Sequence, residues 1–246
     1  MVGAGGSALV GVDLLGRARA SLRLSGCYLT GLDSQVAGVC LSVDDLALPA
    51  ATSVCPESAS LAHRLPWAGV GAARRAPGHG ERAAGVAEGL RVPGCLSGQT
   101  DLIAAVAATG LPINLKKAQF MAPPDIRQAV DKLRSFGAND VLVTDRGTAF
   151  GYNNLIADMR GLIQIREFAP VCFDATHAVQ YPGTEKGASG GDRTLVSALS
   201  RAAVATGIDA LFVEAHPNPD EAPCDGPSQL DFDALDALLS EVVAID

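Results

Sequence analysis

Four places along the chain gather side chains able to do polar chemistry, and each follows a short apolar run. They are Lys116-Lys117 after Ile113-Asn-Leu, Asp145-Arg146 after Val141-Leu-Val, Asp174 to His177 after Val171-Cys-Phe, and Glu214 to His216 after Ala210-Leu-Phe-Val. Lys116, Lys117 and Arg146 form a cationic set suited to a phosphate or carboxylate, lysine as a point charge and arginine as a planar fork. A solvated charged rim is the plain alternative. His177, Glu214, His216 and Asp225 are nitrogen and oxygen donors that could hold a divalent metal, with Cys40 as a thiolate ligand. For a single histidine at a strand end, a structural hydrogen bond is the competing reading. Asp174 and Asp145 suit the orientation of these groups better than direct reaction, and Cys95 and Cys172 read as core residues.

Such groups need a scaffold that brings strand ends together. The spacing predicts a strand at 92–96, a helix at 101–109 capped by Thr100 and closed by Gly110, and a strand at 113–115. Next come a helix opened by Pro123-Pro124 and ended by Gly137, a strand at 141–143 and a helix at 155–162. A strand at 171–173, a helix at 195–205 capped by Asp192, a strand at 210–213 and a helix at 232–243 complete the series. Near-continuous apolar strands alternating with helices predict an α/β fold with a parallel sheet. Polar groups at four consecutive strand ends are the layout of a (β/α)8 TIM barrel mouth. A doubly wound open sheet is the alternative, weakened by the absence of a G-x-G-x-x-G phosphate loop.

The first hundred residues are of a different kind: they contain no Lys, Ile, Asn or Phe, and all 7 Phe lie beyond them. The missing residues share A/T-rich codons, so residues 1–89 read as a divergent or frame-disrupted region of a G/C-rich gene. An Ala/Val/Leu-rich helical region is the physical alternative. Within it, Val36 to Cys40 reads as a short strand and loop, 43–54 has helical spacing broken by Pro49, and 55–80 shows no strand pattern.

A chain of 246 residues with 48% hydrophobic content is large enough for a substantial core. Its net charge of -8 argues against nucleic acid or an anionic membrane surface as the main partner, though not against a small anion in a local basic pocket. The 6 cysteines form no CxxC pair, which suits reduced thiols in the cytoplasm. No apolar run approaches a membrane span, and the Gly/Ala-rich start lacks the basic region of a secretory signal.

Several ordered motifs resemble the 3-deoxy-D-manno-octulosonate 8-phosphate synthase family, also called phospho-2-dehydro-3-deoxyoctonate aldolases. The matching runs are Gln99-Thr-Asp-Leu, Asn114-Leu-Lys-Lys-Ala-Gln-Phe120, Thr144-Asp-Arg-Gly-Thr-Ala-Phe-Gly-Tyr-Asn-Asn-Leu155, Phe173-Asp-Ala-Thr-His-Ala-Val-Gln180, Ala188-Ser-Gly-Gly191, Glu214-Ala-His-Pro-Asn-Pro219 and Cys224-Asp-Gly-Pro227. DAHP synthase, which shares the barrel, matches these runs less well. The resemblance implies that 90–246 is the C-terminal part of a class I aldolase-like barrel, and that the protein is a cytoplasmic homo-oligomer, a tetramer in the family. It implies condensation of phosphoenolpyruvate with D-arabinose 5-phosphate and water, with release of phosphate, on the path to lipopolysaccharide. By motif, Lys117 (with Lys116 beside it) and Arg146 grip phosphoenolpyruvate, His177 joins them as a catalytic residue, and Gln99 and Ser189 line the substrate site. Cys40, His177, Glu214 and Asp225 are the metal ligands of the metal-dependent branch; a branch with Asn in place of the cysteine needs none.

Residues 35–54 match the family's first barrel unit only weakly, with Val39 where the family has proline. The family's Lys-Ala-Asn-Arg-Ser-Ser sugar-phosphate segment is absent, and Gly98 stands where an arginine is expected. The interval between Leu46 and Gln99 is too short for two further strands with their helices, at roughly 30 residues per βα unit. These departures imply a barrel incomplete in its N-terminal half, and keep open an inactive remnant that still binds phosphoenolpyruvate or a DAHP synthase-like enzyme.

Overall fold

The computed structural model describes residues 89–245 except 152–153, 184–189, 217 and 223–224, together with the backbone of strands at 8–13, 22–24, 27–29, 36–41 and 69–73. The central sheet is built from β1 (Ala8–Asp13), β2 (Val36–Leu41), β3 (Gly69–Ala73), β4 (Gly89–Val92), β5 (Ile113–Lys116), β6 (Val141–Asp145), β7 (Val171–Asp174) and β8 (Ala210–Ala215). β2 through β8 pair in parallel, each with the next. β1 lies antiparallel between β8 and β2 and closes the curled sheet on itself. This is an α/β fold around a mainly parallel, partial barrel. An antiparallel closing strand satisfies the two exposed edges that a parallel array would leave.

Helices cover the outside: α1 (Thr100–Ala107), α2 (Arg127–Ser135), α3 (Met159–Arg166), the short α4 (Ala175–Ala178), α5 (Val196–Ala205) and α6 (Phe232–Val243). Their buried positions recur at helical spacing, as with Leu235, Leu238, Leu239 and Val242 on α6. Each such leucine contributes on the order of 1.5–3 kcal/mol by leaving water. Acidic N-caps fix several starts: Asp158 accepts from the Arg160 amide, Asp192 from Thr194 and Asp231 from Ala234. Gly110 and Gly137, both at positive φ, follow α1 and α2 as the spacing requires.

Four expectations need correction. The strand placed at 92–96 is Gly89–Val92, because Pro93 ends it and Gly94–Leu96 turns as a 3-10 helix. Cys95 is consequently exposed, while Cys172 is buried. The helix placed at 155–162 starts only at Met159; Leu155–Ile156 pairs instead with Thr148–Ala149. Strand β3 falls where no strand pattern was visible, so the interval before Gln99 does hold two strands, β3 and β4. The helical spacing at 43–54 lies outside the described residues.

α3 packs on the turn at Pro123 through Gly161, where an added Cβ would come within 2.6 Å of the proline Cγ. A proline ring cannot swing aside, so Gly161→Ala is expected to destabilise the protein by about 1–3 kcal/mol despite alanine's better helix propensity. A lowered urea midpoint is the readout, and an unchanged or raised one would show that the α3 contact has slack.

Candidate active site

Alternation along the strands sorts their side chains onto two faces. Leu90 and Val92, Ile113 and Leu115, Val141 and Val143, Val171 and Phe173, Leu211 and Val213 belong to the apolar core under the helices. The residues between them, Arg91, Asn114, Leu142, Cys172 and Phe212, face the lumen, and polar groups gather toward its strand ends. Thr144 on β6 donates to Asn114 Oδ1 on β5 at 2.6 Å. Lys116 on β5 reaches past β6 to Asp174 on β7, Nζ to Oδ2 at 2.5 Å.

That ion pair is buried on both sides. Burial pulls the Lys116 ammonium below its ordinary value; Asp174 opposes this, and the nearby Arg91 and Arg146 add to it. Burial also pushes the Asp174 carboxyl up, but His177 and Lys116 outweigh it and hold the group well below the usual carboxylate range. Burial raises the Cys172 thiol to about 12, which leaves it an unreactive neighbour.

Asp174 ends β7 and caps α4, accepting from the His177 amide at 3.0 Å. Its carboxylate also meets His177 Nδ1 at 2.9 Å, which fixes the ring and turns Nε2 toward Glu214 Oε1 at 3.4 Å. One donor atom each from His177, Glu214 and Asp225 lie within 4.8 Å of one another. Ligands on opposite sides of one ion sit about 4.2 Å apart at bond lengths near 2.1 Å, so a small closure suffices. An imidazole whose far nitrogen is held by a carboxylate, with two further carboxylates, is a donor set that fits a divalent cation. His216 is not part of the group: its Nδ1 lies 2.7 Å from the Asn218 carbonyl oxygen and 3.0 Å from the Asn218 amide nitrogen.

Arg146 follows β6. Its Nη2 donates to Gln180 Oε1 at 2.5 Å and lies 3.5 Å from the His177 carbonyl, while the buried Nε has no hydrogen-bond partner among the described residues. A third cation was absent from the sequence reading. Arg91 on β4 extends across the lumen over the Phe212 ring, 5.1 Å from its centroid, and Lys116 Nζ stands 5.3 Å from the same centroid. Arg91 Nη1 is buried without a hydrogen-bond partner among the described residues. The available signal was an arginine between Leu90 and Val92 in an otherwise apolar run. Strands β4 and β5 and the loop after β6 thus each direct one cation toward one region, and two of the three carry nitrogens unpaired among the described residues.

The other expected residues fall elsewhere. Lys117 lies on the opposite face from Lys116, with a fully buried side chain. Its Nζ donates to the carbonyls of Ala118, Met121 and Gly147 and to Thr148 Oγ1 at 3.1–3.2 Å, and pairs with Asp145 at 3.5 Å. That lysine is a bracket between β5 and the loop after β6, and the structure does not bring it to Lys116. Gln99 is exposed just before α1. Ser189 and the Cys40 side chain lie outside the described residues; the Cys40 backbone is on β2, opposite Gly71 of β3.

Residues 75–245 match the model of the DAHP synthetase I family. The chain belongs to that family. Within it, the chain is 53% identical over 161 residues to a protein of Nitratidesulfovibrio vulgaris strain DP4 named 2-dehydro-3-deoxyphosphooctonate aldolase, covering 65% of this chain and 59% of the relative. Proteins of the same name from Syntrophotalea carbinolica (53% over 167 residues, 68% and 60% covered) and Rickettsia bellii strain OSU 85-389 (51% over 158, 64% and 58% covered) are similar. The chain therefore matches about 60% of the length of these family members. Among its described residues no helix is long and apolar enough to cross a membrane.

Proposed function

We propose that this family member condenses phosphoenolpyruvate with D-arabinose 5-phosphate and water, giving 3-deoxy-D-manno-octulosonate 8-phosphate and phosphate. The observation that carries the reading is the arc of Arg91, Lys116 and Arg146 in the lumen, two of which have buried nitrogens without a partner among the described residues. The names of the relatives support the same substrate class. Phosphoenolpyruvate brings a carboxylate and a phosphate close together, and cations placed before it arrives stabilise the charge that develops when its C3 attacks an aldehyde. Lys116 takes the role that the motif alone gave to Lys117. Asp174 keeps Lys116 in place and orients His177, whose Nε2 faces the reacting region with Glu214.

His177, Glu214 and Asp225 would hold a divalent metal, with Cys40 as a fourth ligand. When bound, such an ion supplies Lewis-acid polarisation of an oxygen. The accompanying fold reading is a (β/α)8 barrel altered in its N-terminal half, supported by the run of parallel strands and the polar strand ends. A cytoplasmic location goes with it, and so does a homo-oligomer, the latter supported by Phe120 and Phe150, which are 72% and 70% exposed on loops joined by the Ala149 amide to Gln119 carbonyl bond.

A second reading has its own support. The sugar-phosphate segment has no counterpart in the sequence, which favours a chain that grips phosphoenolpyruvate without turning it over. Phosphate release from the two substrates together tests both. Steady release bears out the synthase; binding of phosphoenolpyruvate without release selects the second reading; neither would overturn both.

A further inference from the structure

Gln180 has no part in the chemistry above, yet it touches two groups that do. It opens the short strand Gln180–Tyr181, paired with Gly190–Gly191, and is 5% exposed. Its Oε1 accepts from Arg146 Nη2 and its Nε2 donates to Asp225 Oδ1, both at 2.5 Å. The amide's orientation follows from its partners, since a guanidinium only donates and a carboxylate only accepts. A neutral amide that accepts at one end and donates at the other is what this bridge requires. A carboxylate in its place would face Asp225 with like charge.

The Asp225 carbonyl accepts from the Ser228 and Gln229 amides and from Ser228 Oγ, which fixes its backbone, while Gln180 holds its side chain. Asp225 is the one non-glycine among the described residues at positive φ, 53°, and must be kept there by its surroundings. The next residue has no slack, because a Cβ at Gly226 would collide with the Pro219 carbonyl, and Arg193 donates to the Gly226 carbonyl at 3.0 Å. At the other end, the bond to Gln180 is the short one made by the Arg146 guanidinium, whose Nε remains unpaired among the described residues. A shift of Asp225 is therefore passed to the cation through one rigid amide.

We propose that Gln180 is a positioning residue that ties the anion grip at Arg146 to the His177–Glu214–Asp225 donor set, so that the two sites are energetically coupled through it. One arm of the test rests on the phosphoenolpyruvate reading and the other does not. In metal-free buffer, phosphoenolpyruvate affinity is measured by calorimetry for the wild type, Gln180→Met, Asp225→Ala and the double variant. Removing the Asp225 charge has a direct electrostatic effect that is the same in both backgrounds, so the cycle isolates what passes through Gln180. Asp225→Ala is expected to be less favourable to binding in the wild type than in the Gln180→Met background by a factor of about five or more. Independent effects would overturn the proposal.

The second arm needs no phosphoenolpyruvate: Mn2+ affinity is measured for the wild type, Gln180→Met, Arg146→Ala and their double variant. Non-multiplicative changes support the coupling, even for a chain that binds no phosphoenolpyruvate and so fails the functional reading; multiplicative changes overturn it. Absence of both ligands overturns it as well. Gln180→Leu, which also can neither accept from Arg146 nor donate to Asp225 and brings no charge, replaces Gln180→Met should that variant fail to fold, with the same loss of coupling expected.

Discussion

Replacing Lys117 with methionine is expected to lower stability by about 3–5 kcal/mol, the cost of breaking a buried ion pair from one side. The variant strips four oxygens of their shared donor and leaves Asp145 buried without its cation. Burial already raises the Asp145 carboxyl above its ordinary value, with Lys117 opposing that rise. Removing Lys117 raises it further, so the folded state takes up a proton more readily than the unfolded chain. Stability contributed by that uptake grows as pH falls through the raised folded value toward the ordinary one. The deficit of Lys117→Met is thus largest at neutral pH and shrinks in mild acid. Urea unfolding at two pH values checks this. A variant as stable as the wild type that has lost phosphoenolpyruvate would place Lys117 in the pocket instead.

Lys116→Met also breaks a buried ion pair, with Asp174, but its distinguishing readout is at the ligand. It removes the central cation of the lumen, and a charged hydrogen bond of about 1.5–3 kcal/mol corresponds to roughly 10–100-fold in phosphoenolpyruvate affinity. Burial lowers the Lys116 ammonium, with Asp174 opposing and Arg91 and Arg146 reinforcing the shift. The group is charged below its folded value and neutral above it. Wild-type affinity for the anion should therefore decline with rising pH at values below the 10.5 of an ordinary lysine, and the decline should be missing in Lys116→Met. A pH titration of affinity in both proteins reads this directly.

Much of the second half was legible because its strands and helices carry strong local patterns. Phe232–Val243 begins and ends where the apolar spacing places it. His177 and Glu214 were visible because each sits at or shortly beyond the end of an apolar run, and the structure gathers them with Asp225. Adjacent lysines were harder. Strand side chains alternate, so Lys116 and Lys117 cannot share a face, and motif reasoning had no means to choose the lumenal one. The choice follows from Leu115, whose place in the outer core fixes Lys116 inward.

Arg91 was hidden by a boundary error of a few residues. A strand begun at Val92 leaves the arginine outside, whereas Gly89–Val92 puts it in the lumen opposite Phe212. Strand β3, with its Gly-Val-Gly-Ala-Ala sequence, has no alternation to detect and is defined by backbone pairing to β2 and β4. The antiparallel run of β1 is likewise a property of what it pairs with, since nothing local to Ala8–Asp13 encodes direction. The interchange of Leu155–Ile156 from helix to strand has the same origin: its partner Thr148–Ala149 lies across a loop, and the Asp158 cap delays α3.

The account stands on one claim, that the cations of β4, β5 and the loop after β6 form a single anion site for phosphoenolpyruvate with Lys116 at its centre. Calorimetric titration of phosphoenolpyruvate into the wild type and Lys116→Met in metal-free buffer tests it most directly. The expected result is one site per chain in the wild type, weakened roughly 10–100-fold by the substitution. Equal affinity in the two proteins, or no binding by the wild type, would contradict it.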